Sequence, residues 1–175
     1  MNILILAGSN SSKSINFQLL KYLSAKIEGN QLELIPTNAF ELPLYSIDLE
    51  EKGFPEAVRA LLEKFHQCDC CILSVAEHNS NITAYFKNLL DWLSRMDRHF
   101  LLNKKMLLLS CSTGKRGAQS AREAAELMLP RFKGEIIYSM GFPNFQENFQ
   151  DGQVINPELE QQLQQGLDLL LGNTD

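Results

Sequence analysis

Five short, almost unbroken apolar runs, each followed by a stretch of helical period, set the limits on what this chain can fold into. The runs are Asn2–Ala7, Leu32–Ile35, Cys70–Val75, Lys105–Ser110 and Glu135–Ser139. A strand with one wet face alternates polar and apolar residues, whereas a strand covered on both faces does not. Cys70-Cys71-Ile72-Leu73-Ser74-Val75 shows the second pattern. Between the runs, apolar residues recur at helical spacing: Ile15, Leu19, Leu20, Leu23 and Ile27 over 14–28, Val58, Leu61, Leu62 and Phe65 over 55–67, and Phe86, Leu89, Leu90 and Leu93 over 84–98. Gly29-Asn30 stops the first of these helices, and Pro55 suits the first turn of the second. An alanine-rich helix reaching Phe132 and a last one over 157–171 complete the series. Strand and helix alternating five times predict an α/β sandwich of three layers. Its centre is a five-stranded parallel sheet in the order 2-1-3-4-5, with helices on both faces. The chain has no repeats or low-complexity linkers, so a single domain over 1–175 is expected.

Composition removes several classes of partner. Hydrophobic residues are 45% and charged residues 21% of the chain, the balance of a globular protein with a real core. The net charge of -5 speaks against a nucleic-acid surface. No apolar run is long enough to span a bilayer, and no basic segment precedes the first one, so a cytoplasmic protein without a membrane partner is expected. Cys68, Cys70, Cys71 and Cys111 lie at strand ends, and the three histidines offer no metal-site pattern beside them. Buried reduced thiols and no metal are the expectation.

In a sheet of this order, ligands bind beyond the C-terminal strand ends, at the switch point between the first and third strands. The loops there begin at Gly8, Ala76 and Cys111, and they are the polar, hydroxyl-bearing loops of the chain. The first, Gly8-Ser9-Asn10-Ser11-Ser12-Lys13-Ser14-Ile15-Asn16, runs straight into a helix. A helix start presents unpaired N–H groups and the positive end of its dipole. Ser9, Ser11, Ser14 and Asn16 add side-chain donors. The loop has neither G-x-x-x-x-G-K-[ST] nor G-x-G-x-x-G, so it is not a triphosphate or dinucleotide loop. A single phosphate monoester bound without metal fits, and on such a sheet this suggests flavin mononucleotide (FMN).

Four segments in order resemble the NAD(P)H-dependent FMN reductases, which are flavodoxin-like. Gly8-Ser9 with Ser14-x-Asn16 is similar to the family's G-S-x-R-x-x-S-x-N phosphate loop. Leu42-Pro43-Leu44-Tyr45 resembles its L-P-x-[YF/D] segment. Ala76-Glu77-His78-Asn79, with Lys87-Asn88 and Asp91-Trp92-Leu93-Ser94-Arg95, resembles P-E-Y-N…L-K-N-x-x-D-W-x-S-R, the most specific of the four. Ser112-Thr113-Gly114-Lys115-Arg116-Gly117-Ala118 resembles S-x-G-x-x-G-G. The chain departs from the family at Ser11, where the family has arginine, at Ala76 and His78 for proline and tyrosine, at Thr83-Ala84 for P-G, and at Ala118 for glycine.

The resemblance implies FMN as cofactor and NADPH or NADH as co-substrate. It implies that Ser9, Ser14, Ile15 and Asn16 hold the phosphate, that Glu77, His78, Asn79 and Ser80 follow the isoalloxazine edge, and that Ser112, Thr113 and Gly114 close the other side. No protein acid or base is implied, because hydride passes directly to the flavin. It also implies a homodimer or homotetramer acting on a small-molecule electron acceptor: a quinone, an azo compound or free flavin. An electron carrier without a hydride step, and a binding module that has lost flavin, are the rival readings. Trp92 reads as core or subunit packing, and Lys87, Asp91 and Arg95 as an ion-paired helix face. Lys115 and Arg116 fit either a solvated loop tip or attraction for a nucleotide phosphate. Phe142, Phe145 and Phe149 fit either packing or a pocket wall.

Overall fold

The computed structural model describes residues 1–172. Its main sheet is formed by β1 (Asn2–Gly8), β2 (Gln31–Ile35), β3 (Cys70–Val75), β4 (Lys105–Cys111) and β5 (Glu135–Phe142). All neighbours are parallel and the order is β2-β1-β3-β4-β5, as the sequence predicts. The main helices are α1 (Ile15–Ser24), α2 (Glu56–Gln67), α3 (Ala84–Met96), α4 (Gln119–Met128) and α5 (Pro157–Leu171). This is a flavodoxin-like sandwich.

The unbroken apolar strands are explained by two cores. Ile3, Ile5 and Ala7 of β1 face one layer with Leu19, Leu20 and Leu23 of α1 and Leu163 and Leu167 of α5. Leu4 and Leu6 face the other, with Leu61 and Phe65 of α2, Phe86 and Leu90 of α3 and Ala121 and Ala125 of α4. Each leucine, isoleucine or phenylalanine among them, when fully buried, contributes about 1.5–3 kcal/mol. Both faces are therefore needed to hold the sheet, and neither is left for water.

Three departures from the sequence reading have local causes. Helix α1 stops at Ser24, before the predicted 28, because Lys26 N–H bonds to Leu23 O at 3.0 Å and Ile27 N–H to Ser24 O at 3.3 Å. These tighter turns carry Ile27 into the core outside the helix. Strand β5 continues to Phe142, past the predicted 139, because Met140 and Phe142 keep packing on the α1–α5 side. Within 141–156, a helical turn (Phe145–Asn148) and a small hairpin (Phe149–Gln150 with Gln153–Val154) close the chain over α1. Phe145 stacks on Phe149 at 4.7 Å between centroids, and Tyr22 of α1 meets Phe149 edge-on at 5.8 Å. The three phenylalanines thus serve packing. No helix among the described residues is long and apolar enough to cross a membrane.

Candidate functional site

Strands β1, β3 and β4 end side by side, so the three polar loops leave the sheet at one edge. In the first loop Ser14 is the N-cap of α1, its Oγ accepting from Phe17 N–H at 3.2 Å. That leaves the amides of Ile15 and Asn16, in the first turn, without an intrahelical partner. Ser9 Oγ accepts from Ser11 N–H at 3.3 Å, and Ser11 Oγ from Lys13 N–H at 3.2 Å. The loop is thus wound on its own hydroxyls, with Asn10, Ser11, Ser12 and Lys13 exposed.

Asn16 differs from the other expected donors. The residue is 2% exposed, and its side chain is turned into the fold. Its Nδ2 donates to Cys111 O at 3.3 Å, and its Oδ1 accepts from the buried Ser74 hydroxyl at 2.7 Å. One residue thereby joins the start of α1 to β3 and β4, beneath all three loops. Its side chain supports the loop from behind.

The second loop is a hairpin, Glu77–His78 paired with Asn81–Ile82. Asn79 and Ser80 at its tip have φ of 51° and 59°. Two successive left-handed residues make the tight turn that asparagine and serine tolerate better than branched residues do. His78, Asn79 and Ser80 are exposed. Glu77 is not free: its Oε2 accepts from Ala121 N–H at 3.0 Å, capping α4. Helix α4 needs this because Ala118 before it is left-handed, with φ 58°, and provides no side-chain cap. Thr83 closes the hairpin, donating to Gly8 O at 2.8 Å and capping α3 through Phe86 N–H at 3.1 Å.

The third loop is fixed from below. Ser112 N–H donates to Phe142 O at 3.2 Å, and Ser112 Oγ accepts from Ala118 N–H at 3.1 Å. Gly117 has φ +57°, and a Cβ there would lie 3.1 Å from Gly141 C and Phe142 N of β5. Only glycine permits both that conformation and that approach. Thr113, Gly114, Lys115 and Arg116 stay exposed at the edge.

Sequence reasoning missed the purpose of the most specific motif. Asn88 Oδ1 accepts from Tyr45 N–H at 2.8 Å, and its Nδ2 donates to Pro43 O at 3.0 Å. Trp92 Nε1 donates to the same Pro43 O at 2.8 Å. Arg95 grips Glu50 through Nε and Nη2 at 2.8 and 3.0 Å, and Tyr45 OH donates to Glu50 at 2.7 Å. The Arg95 guanidinium and the Tyr45 hydroxyl together hold the Glu50 carboxyl below the usual carboxylate range. Helix α3 is thus a clamp on the 36–55 connection. Lys87 pairs with Asp91 as expected, but Arg95 does not. Beside the clamp, Asn10, Phe40, Leu42, Tyr85 and Asn88 line a groove of about 220 Å³. The Tyr85 hydroxyl is buried there without a partner.

A parallel sheet with hydroxyl-rich loops at its first switch point defines a mononucleotide-binding protein of flavodoxin type. Within that class the chain belongs to the NADPH-dependent FMN reductase family, whose profile matches residues 1–142. It is 30% identical over 169 residues to a quinone reductase of Escherichia coli strain K12, covering 89% of this chain and 86% of that one. It is 35% identical over 92 residues to an uncharacterized protein of Mycoplasma pneumoniae, a match spanning 53% of this chain and 54% of that one. Among solved structures, FerB, a flavoenzyme NAD(P)H:(acceptor) oxidoreductase of Paracoccus denitrificans, superposes with a TM-score of 0.75. Its sequence identity is 24%, with 98% of this chain and 97% of that one covered, and this likeness speaks for the fold.

Proposed function

We propose that this chain is a cytoplasmic, single-domain FMN-dependent NAD(P)H oxidoreductase passing electrons to a quinone, an azo compound or free flavin. Membership of the FMN reductase family supports the class of reaction. The observation that carries the reading is the first loop, a run wound on the hydroxyls of Ser9 and Ser11 that leads directly into the Ser14-capped start of α1, where the first-turn amides of Ile15 and Asn16 have no intrahelical partner. Such a donor set fits a phosphate monoester without a metal. No group of residues suited to hold a metal ion occurs among the described residues.

Bound there, FMN would supply the hydride chemistry, accepting from the nicotinamide and delivering to the acceptor. The chain's own work is to bind and orient. Ser9, Ser11, Ser14, Ile15 and Asn16 would hold the phosphate: the amides of Ile15 and Asn16 and the Ser9 and Ser11 hydroxyls as donors, Ser14 by capping the helix that aims those amides. The backbone of Glu77, His78, Asn79 and Ser80 would follow one edge of the ring. The Glu77 carboxylate is turned toward the start of α4, where its Oε2 accepts from Ala121 N–H, so the residue offers that edge its backbone. Ser112, Thr113 and Gly114 would close the opposite side on a loop that cannot sag.

The test is spectroscopic. Purified protein mixed with FMN should show a shifted visible flavin band that NADPH or NADH bleaches without air. A band identical to that of free FMN would refute the proposal. A shifted band that only a separate reductase can bleach would replace it with an electron carrier.

A further inference from the structure

At the opposite edge of the sheet from the loops, Cys68 and Cys71 bring their sulfurs to 3.5 Å. Cys68 is the residue that caps the C-terminus of α2, and Cys71 is the second residue of β3. The bend at Asp69 folds the two together, and Asp69 is fixed there by Asn2 N–H, which donates to its Oδ2 at 2.7 Å. Alternation along the strand separates the third cysteine of the cluster. Cys70 points into the α1–α5 core, whereas Cys68 and Cys71 share the α2–α4 side. The pair is therefore selected by geometry, and Cys70, though adjacent to Cys71 in sequence, is turned away from it.

The surroundings differ for the two sulfurs. Cys68 lies on the wall of an open groove of about 350 Å³, with Asn2, Gln31, Glu33, Lys64 and Gln67 around it. Lys104 Nζ donates to Cys68 O, placing an ammonium beside this end of the strand. Cys71 is fully buried behind it. Cys68 is the outer thiol of the pair, set in the groove wall and nearly covered, with Cys71 as a resolving thiol beneath it.

We propose that Cys68 and Cys71 form a peroxide-oxidisable dithiol, a modification site remote from the flavin loops. The Cys68 thiolate attacks one oxygen of hydrogen peroxide and breaks the O–O bond. Cys68 becomes a sulfenic acid and the other oxygen leaves as water once protonated. The Cys71 sulfur then attacks Cys68 Sγ, a second water leaves, and a disulfide remains. Two thiols and one peroxide give one disulfide and two waters. A dithiol reductant reverses the change. The oxidant is small and uncharged because Cys68 is only 5% exposed, which admits peroxide and resists a bulky disulfide.

The test treats the intact protein with a slight excess of hydrogen peroxide, blocks remaining thiols with iodoacetamide and maps the peptides by mass spectrometry. No flavin is needed, so the outcome is independent of the proposed activity. The peptide holding Cys68 and Cys71 should lose two hydrogens and both alkylation sites. Cys70 and Cys111 should stay alkylatable after unfolding, and dithiothreitol should restore the original pattern. Cys71→Ser should arrest the reaction at a Cys68 sulfenic acid that dimedone captures. Glutathione disulfide should react at least about tenfold more slowly than peroxide. An unmodified wild-type peptide, a bridge that includes Cys70, or sulfinic acid at Cys68 with Cys71 still a thiol would each overturn the proposal. Equal rates with the two oxidants would overturn the choice of oxidant.

Discussion

Ser11 stands where the family's phosphate loop has arginine, and the nearest cation in sequence is the exposed Lys13. Lysine offers a point charge without the bidentate fork. Ser11→Arg exchanges a hydroxyl, which accepts from Lys13 N–H and would donate to the phosphate, for a charged guanidinium on the same loop. FMN should bind about tenfold more tightly, the effect of one added charge-assisted hydrogen bond of ~1.5 kcal/mol. Quenching of flavin fluorescence on titration measures it, and an unchanged Kd would mean that the phosphate lies elsewhere. Asn16 carries the opposite kind of prediction. Asn16→Ala leaves the Ser74 hydroxyl and the Cys111 carbonyl buried without their partner. It should cost about 2–3 kcal/mol in urea unfolding, the penalty of such orphaned groups. The sequence marks Asn16 as important but not as inward-facing. Its direction depends on how α1 lies over β3 and β4, which a local pattern does not encode.

Among the elements, helices and strands were legible because burial on both sheet faces leaves a period in the sequence. Connections were not. The Asn88 and Trp92 bonds to Pro43 join segments more than forty residues apart, and such bonds have no periodic signature. The capping of α4 by Glu77 is hidden for the same reason. The clamp makes a specific prediction. Asn88→Ala removes the side chain that pairs with Tyr45 N–H and Pro43 O, on a connection whose own secondary structure is a single turn, Ile47–Glu50. The 36–55 connection should then be cut by trypsin or chymotrypsin, within 41–52, at protease levels that leave the native chain intact. Helix α3 should keep its helical circular dichroism, because Thr83 still caps it. Cleavage at unchanged protease levels would show that the clamp adds nothing to the order of the connection.

For the molecule as a whole, strand order and the edge at which the polar loops gather could both be read from the chain. What could not be read is the shape of the outer surface. Leu44 and Ile47 are 78% and 65% exposed on the clamped connection, beside Tyr45, an apolar patch held at fixed geometry. Such a patch is suited to a subunit contact. We expect Leu44→Glu combined with Ile47→Glu to shift an oligomer toward monomer in analytical ultracentrifugation. An unchanged sedimentation coefficient would place the contact elsewhere. The inward-turned Asn16 has a larger consequence. Because it fastens the start of α1 to the two strands beneath the other loops, the cleft is assembled before any ligand arrives. Association should therefore involve little ordering of the chain. Its heat-capacity change should reflect the surface covered by the flavin alone, without the larger signature of coupled folding.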